Sequence, residues 1–500
     1  MSQDDLVEEG LTRLERGELH AAASSFRKVV ERDPRHVPAL TGLGEALARL
    51  DQFDEAEALY HRALAAHPRH PIPFWNLGQL LCARGRMAEA LALGDAAVAQ
   101  DPGFAEGWSL RGDGLTGLDR QPEARESYTR AAALEPDNYD ILWKLGAIRA
   151  ALGDCGAALE ILNRAITAHP ERPEARLPRA LARLALRDFG GWADFEARFL
   201  IEAFVRTSGG PLGPAIFSHL TLSPTAAMLA GQRILVIGEQ GLGDEVMFAS
   251  AIPDALRVAK KLVYVGDQRL QRLFSASFPE AEVMELTSGA AAKLEVDRVI
   301  AVGSLPAIFR TREQDFPGAP YLRPRAEVVA GWARRLGPAA GRLRVGLSWR
   351  GGSPVTGQGA RSVPLEALGP ILDLPGCEFV SLQYGEVEAE VAAFNAGWAN
   401  PVRCFPAEDI RDLEDLAAVL ENLDVVVSVQ TTLAHLAGAV GRPCLAMIPA
   451  NPAWRYGASG PTMPWYGSVR LFRQAEPGDW GPVIETLAGE LRTMASPGGA

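Results

Sequence analysis

Paired cysteines are missing from this chain. Its five, at positions 82, 155, 377, 404 and 444, lie far apart and form no C-x-x-C. That scatter excludes a disulfide framework and a zinc ribbon, and it fits buried thiols in a reducing compartment. A basic excess is missing as well. Fifty Lys and Arg face 62 Asp and Glu, a formal charge of −12. A general nucleic-acid binder needs a basic face to neutralise phosphates, so that class is excluded. Nor is there a long uninterrupted apolar run. The most apolar stretch, residues 433–450, holds His435, Arg442 and two prolines and does not read as a membrane span. The opening MSQDDLVEEG is acidic and has no apolar h-region, so no secretory leader is expected and the location expected is cytoplasmic.

What is present is a soluble, globular composition, 47% hydrophobic and 22% charged, over 500 residues. That length exceeds one core and implies two to four domains. Prolines recur at Pro34, Pro68, Pro102, Pro136 and Pro170, a strict step of 34 residues. Glycines keep the same step at Gly10, Gly44, Gly78, Gly112 and Gly146, and alanines at Ala22, Ala56, Ala90, Ala124 and Ala158. Small residues let paired helices approach, and proline ends the second helix of each pair. The period with these columns is the tetratricopeptide (TPR) pattern, an α solenoid of helical hairpins. The array is expected over residues 1–205. Its sixth repeat, 172–205, has lost the glycine (Ala180) and the proline and reads as a cap.

Such a solenoid usually binds a peptide or protein on its concave face; a dimerisation platform or a bare spacer is the alternative. Trp75 and Trp143 hold equivalent positions, three residues before Gly78 and Gly146. In TPR arrays that position faces the groove, so the two rings are candidates to clamp an extended acceptor. The competing role is simple space-filling between helices. Trp108 sits one position earlier in its repeat and is expected to point inward.

Residues 206–230, rich in Gly, Pro and Ser, read as a linker. Beyond them strands alternate with helices, which predicts parallel sheets with right-handed crossovers. The number of strands suits two Rossmann-like halves, 231–325 and 326–500, with a ligand cleft at the carboxyl ends of the strands. Three strand ends carry chemistry. In the first, IGEQGLGD, Gly241 and Gly243 form a turn and Asp244 opens a helix. A dinucleotide fingerprint fails there, because Val246 replaces the third glycine. Asp244 itself reads either as a helix cap or as a functional carboxylate. In the second, VQTTLAH, Thr431 and Thr432 set hydroxyls beside free N–H groups and His435 lies one turn on, a cradle for a diphosphate or a plain helix start. In the third, Arg350 and Arg361 flank a glycine-rich loop that is able to fold over an anion.

Together, IGEQGLGDEVMFASAIPDAL (237–256), LRVGLSWRG (343–351) and DVVVSVQTTLAHLAGAVGRPCLAMI (424–448) resemble the ADP-heptose–lipopolysaccharide heptosyltransferases, glycosyltransferases of the GT-B fold. The chain is most similar to bacterial proteins in which TPR repeats precede such a domain. The resemblance implies an inverting, metal-independent glycosyltransferase that uses a nucleotide-diphospho-sugar and no cofactor. It places Asp244 as the catalytic base, and Thr431, Thr432 and His435 at the donor diphosphate, with Arg361 in the position of a basic loop residue. Gln430 stands where the family has aspartate and so bears on donor choice. The order of domains is similar to that of protein O-GlcNAc transferase, which implies a protein acceptor held by the repeats. A non-catalytic TPR scaffold with a degenerate transferase domain is the alternative.

Overall fold

The structure is a computed structural model that describes residues 2–68, 70–201, 219–284, 295–352, 358–398 and 400–496. Most of the expected linker and the centre of the loop between Arg350 and Arg361 lie outside the described residues. The chain forms two compact units, residues 1–152 with 160–170, and residues 153–159 with 171–500.

Ten helices, from Gln3–Glu15 to Cys155–Ala168, follow one another in helix–turn–helix pairs among the described residues. The turn column explains its own composition. Gly17, Asp51, Gly85, Asp119 and Gly153 all have φ between 58° and 83°. Glycine enters that left-handed region freely, and aspartate tolerates it better than most residues. The glycine column is a matter of space. A methyl at Gly10, Gly44, Gly112 or Gly146 would come within 2.7 Å of Phe26, Tyr60, Tyr128 or Leu162, each 16 residues further on. The third repeat departs from this rule. Its residue sixteen beyond Gly78 is Gly94, and Leu110 of the next repeat fills the space instead, 2.5 Å from where a Gly78 methyl would sit. Gly94 in turn lies so close to the backbone of Arg111 that no side chain fits.

The first unit ends at Pro170. The expected sixth repeat keeps the turn, with Arg187 at φ 60°, in step with Gly153. Its helix, Arg176–Ala185, and the turns after it nevertheless pack within the second unit. The cause is aromatic and ionic. Trp192 is buried, donates its indole N–H to the Arg310 carbonyl at 2.9 Å, and meets the rings of Phe248, Trp454 and Trp465 edge-on. Arg198 is 0% exposed. Its guanidinium donates to both carboxylate oxygens of Glu239 at 2.9 and 2.6 Å, to Glu196 at 2.9 Å and to Ser304 at 3.0 Å.

The second unit contains two sheets. The first has the order β3-β2-β1-β4, all parallel, with β1 Arg233–Ile237, β2 Lys261–Val265, β3 Glu282–Met284 and β4 Arg298–Ala301. The second has seven strands in the order β10-β11-β9-β8-β5-β6-β7. They are β5 Leu343–Ser348, β6 Cys377–Ser381, β7 Val402–Arg403, β8 Val425–Val429, β9 Cys444–Ile448, β10 Thr462–Met463 and β11 Tyr466–Arg473. Only β10, antiparallel to β11, breaks the parallel pattern. Setting β10 aside, the second sheet is a full doubly wound order and the first is its leading half. The order reverses between β1 and β4 in one sheet and between β5 and β8 in the other, which locates the crevice of each half. Strands β1, β5, β8 and β9 are mostly apolar and buried along nearly their whole length, as expected of parallel strands covered on both faces.

Replacing Arg198 with alanine leaves Glu239 and Glu196 buried without their counter-charge. The expected loss is ~3–5 kcal/mol of stability, read by denaturant unfolding followed through tryptophan fluorescence. A loss below ~1 kcal/mol, the scale of an exposed pair, would show that this network does not hold the second unit together.

Candidate functional site

Every candidate group in the second unit sits on a loop that leaves the carboxyl end of a strand. From β1 the chain passes through Gly238–Gly241 into the helix Leu242–Phe248, whose first turn holds Asp244. From β8 it passes through Gln430 and Thr431 into the helix Thr432–Val440. From β9 it reaches the turn Trp454–Tyr456. Gly243 lets the first two helix starts meet, since a methyl there would lie 3.2 Å from Thr432 Oγ1 and 3.4 Å from the His435 ring. The glycine is required for this close approach.

The Asp244 carboxylate accepts a hydrogen bond from the Arg455 guanidinium, an ion pair between residues 211 apart in sequence. Both side chains are largely desolvated, 14% and 17% exposed. Arg361 is close by. Its guanidinium is held below the usual arginine pKa by burial and then by the charge of Arg455, with Tyr456 and Asp244 acting in the opposite sense. It has no carboxylate partner among the described residues. Glu245, next to Asp244, is turned away into the sheet. It accepts from Tyr264 Oη at 2.5 Å and from the Asp267 N–H at 3.1 Å, and burial pushes its pKa up to about 7.

Thr431 is the N-cap of its helix and accepts from the Leu433 N–H at 3.2 Å, while Ser428 Oγ lies 3.1 Å from its hydroxyl. Gln430 is 3% exposed, and neither the oxygen nor the nitrogen of its amide has a hydrogen-bond partner among the described residues. An amide buried in that condition costs about 1–3 kcal/mol, which marks it as a group with hydrogen bonds left to make.

Two residues expected at a phosphate have partners within the protein. His435 is buried, with Nδ1 3.2 Å from Tyr466 Oη and Nε2 3.1 Å from Tyr456 Oη. Burial, then the charge of Arg455, holds its pKa well below the ordinary 6.5, so the ring is neutral with both nitrogens engaged. It orients its neighbours and has no donor left for a phosphate. Arg350 is drawn aside by Glu390 at 2.7 Å, and Gln383 pins its backbone by accepting from the Trp349 and Arg350 N–H groups at 2.9 and 2.8 Å. The arginine that meets Asp244 is Arg455. The one sequence cue to it was an arginine in the loop after a buried strand, W-R-Y at 454–456.

In the first unit, Trp75 and Trp143 gather around one cation. The Lys144 ammonium lies 4.6 Å from the Trp75 ring centroid and 6.0 Å from that of Trp143, and pairs with Asp113 at 2.6 Å. Trp108 is half-buried and not enclosed: its N–H donates to the Pro102 carbonyl at 2.9 Å and Arg130 lies over its ring at 4.9 Å. Among the described residues no group of three or more His, Cys, Asp or Glu is placed to hold a metal ion, and no helix is long and apolar enough to cross a membrane.

The sequence model of the family described as tetratricopeptide repeat matches residues 7–71, 46–103 and 111–173. Protein FlbA of Caulobacter vibrioides is 31% identical over 379 residues, which are 70% of this chain and 60% of FlbA. The chain thus spans less than two thirds of that relative's length. Among solved structures, a thermophilic TPR protein from Thermus thermophilus is 22% identical with a TM-score of 0.33, covering 37% of this chain and 100% of its own. The ADP-heptose lps heptosyltransferase II of E. coli is 16% identical with a TM-score of 0.39, covering 53% of this chain and 100% of its own. The N-terminal unit is a tetratricopeptide-repeat array. The two largely parallel sheets, with their order reversals between β1 and β4 and between β5 and β8, give the C-terminal region the architecture of two doubly wound α/β halves.

Proposed function

We propose that the second unit is a glycosyltransferase that moves a sugar from a nucleotide-diphospho-sugar to an acceptor hydroxyl, with inversion and without a metal ion. One observation carries the proposal: a carboxylate on one half, Asp244, pairs with Arg455 on the other, near the charge of Arg361, while its neighbour Gly243 lies against the start of the Thr432–Val440 helix. A base and an anion cradle at strand carboxyl ends are the two things glycosyl transfer from a diphosphate requires.

In the reaction, Asp244 takes the proton of the acceptor hydroxyl, and the acceptor oxygen forms a bond to the anomeric carbon. The bond from that carbon to the diphosphate oxygen breaks on the opposite side, and its electrons leave with the nucleoside diphosphate. Arg455, Arg361, the Thr431 hydroxyl and the free N–H groups of the helix start meet the developing charge. Gln430, with its amide unspent, is positioned to influence which donor is accepted. The acceptor is a protein or peptide held by the repeat array, with Trp75 and Trp143 as its aromatic anchors.

A thermal-shift screen of the full chain against ADP-, UDP-, GDP- and CMP-sugars identifies the donor, since saturating ligand at a hundredfold excess over Kd stabilises by about 2.7 kcal/mol. No shift with any of them favours the scaffold alternative. With the donor known, Asp244→Asn is expected to lower transfer by ~10²–10⁴-fold without weakening donor binding. Normal turnover by this variant refutes Asp244 as base.

Thr431→Val is expected to weaken nucleoside diphosphate binding tenfold or more, as loss of a charge-assisted hydrogen bond costs about 1.5–3 kcal/mol. Unchanged affinity in a calorimetric titration removes the hydroxyl from the cradle. In the first unit, Trp75→Ala with Trp143→Ala is expected to impair transfer to the protein acceptor and leave donor hydrolysis intact. Global unfolding of the double variant, or normal acceptor turnover, assigns both rings to packing around Lys144.

A further inference from the structure

The charges at the cleft do not balance. Asp244 pairs with the Arg455 guanidinium, the charge of Arg361 acts on both, and the third basic group nearby, His435, is neutral. Arg455 also keeps a buried Nε without any hydrogen-bond partner. Two cations therefore lie near one carboxylate, which pairs with Arg455 alone, in a place poor in water, where like charges repel far more strongly than in solution. A diphosphate, with two or more negative charges and several acceptor oxygens, satisfies this pair of arginines better than one carboxylate does. The carboxylate that now sits there is also the group assigned to remove a proton from the acceptor. Hydrogen-bonded to Arg455, its oxygen is occupied and not free to receive the acceptor's proton. The pair further joins the two halves, as Asp244 belongs to the helix after β1 and Arg455 to the turn after β9.

We propose that Asp244 is an internal stand-in for the donor diphosphate, holding Arg455 in the free protein and released to act as base only when a diphosphate takes that arginine. The base is then switched on by the donor itself, and acceptor activation follows donor binding. This inference rests on the transferase reading for the role of the base. Its physical core, competition between Asp244 and a diphosphate for Arg455, does not need turnover to be observed.

The test is calorimetric titration of the full-length protein with inorganic pyrophosphate at fixed low salt. Asp244→Asn is expected to bind pyrophosphate at least about tenfold more tightly than the parent chain, a gain of about 1.4 kcal/mol. Arg455→Gln is expected to bind at least about tenfold more weakly. The double variant is expected to bind no more tightly than Arg455→Gln alone, because without Arg455 there is nothing to compete for. Asp244→Ser supplies the same comparison if Asp244→Asn fails to fold, as judged by circular dichroism. Equal or weaker binding by the folded Asp244 variants overturns the proposal, as does an affinity gain that survives in the double variant. If the binding pattern holds and no nucleotide sugar is ever turned over, the competition stands and the transferase reading falls. If transfer is found and Asp244→Asn gains no affinity, the transferase reading stands and the stand-in role falls.

Discussion

The guanidinium of Arg198 has no contact with solvent, and much of the second unit is arranged to meet that charge. Two carboxylates, a serine hydroxyl and the Phe195 carbonyl receive its donors, and the rings of Phe195 and Phe199 cover its faces at 4.2 and 3.9 Å. Glu239 comes two residues after β1, so satisfying Arg198 determines where the glycine turn leaves the sheet. The Gly303 N–H donates to the same Glu239 carboxylate at 3.1 Å, which ties the end of β1 to the end of β4. Asp244 lies five residues beyond Glu239 and takes its position from this network. An isolated buried ion pair is weak evidence for stability, because desolvation offsets much of the attraction. Here its structural consequence is positional, since it ties residues 195–198 to the ends of β1 and β4.

A second polar string links the halves of the sheet region. Tyr321 donates to the Val246 carbonyl at 2.6 Å and lies 3.4 Å from Tyr466 Oη, which contacts His435, which contacts Tyr456. It runs from the helix carrying Asp244 to the turn carrying Arg455. Keeping His435 uncharged suits that role, because a buried imidazolium beside Arg455 would add repulsion where positive charge is already in excess. Neutral groups thus set the geometry of the cleft, and the two arginines set its field. The string and the Asp244–Arg455 pair act between the same two loops, one fixed and one exchangeable.

Much of this architecture was legible in the sequence. The repeat array is encoded within 34-residue steps by contacts between neighbouring helices, so the glycine, alanine and proline columns stand out in one dimension. Gly44 and Tyr60, or Gly112 and Tyr128, are close both in sequence and in space. The strands after residue 231 were visible as short apolar runs because both faces of each sheet are covered, and glycine turns at their ends marked the candidate loops. Thr431 as a helix start and Asp244 in a first helical turn follow from the same local rules.

What only the tertiary structure decided is which distant charges meet. No local pattern joins Asp244 to Arg455 across 211 residues, or Arg198 to Glu239 across 41. His435 had the spacing of a phosphate ligand, yet Tyr456 and Tyr466 claim both of its nitrogens. Arg350 had the loop position of an anion clamp, and Glu390, forty residues away, holds it. The last repeat keeps its turn at Arg187, and beyond it Trp192 and Arg198 are buried against residues far away in sequence. Hydrophobic periodicity depends on the geometry of a single helix or strand, which sequence spacing records directly. Ion pairs and hydrogen bonds depend on distances through space, which exist only once the sheets have packed.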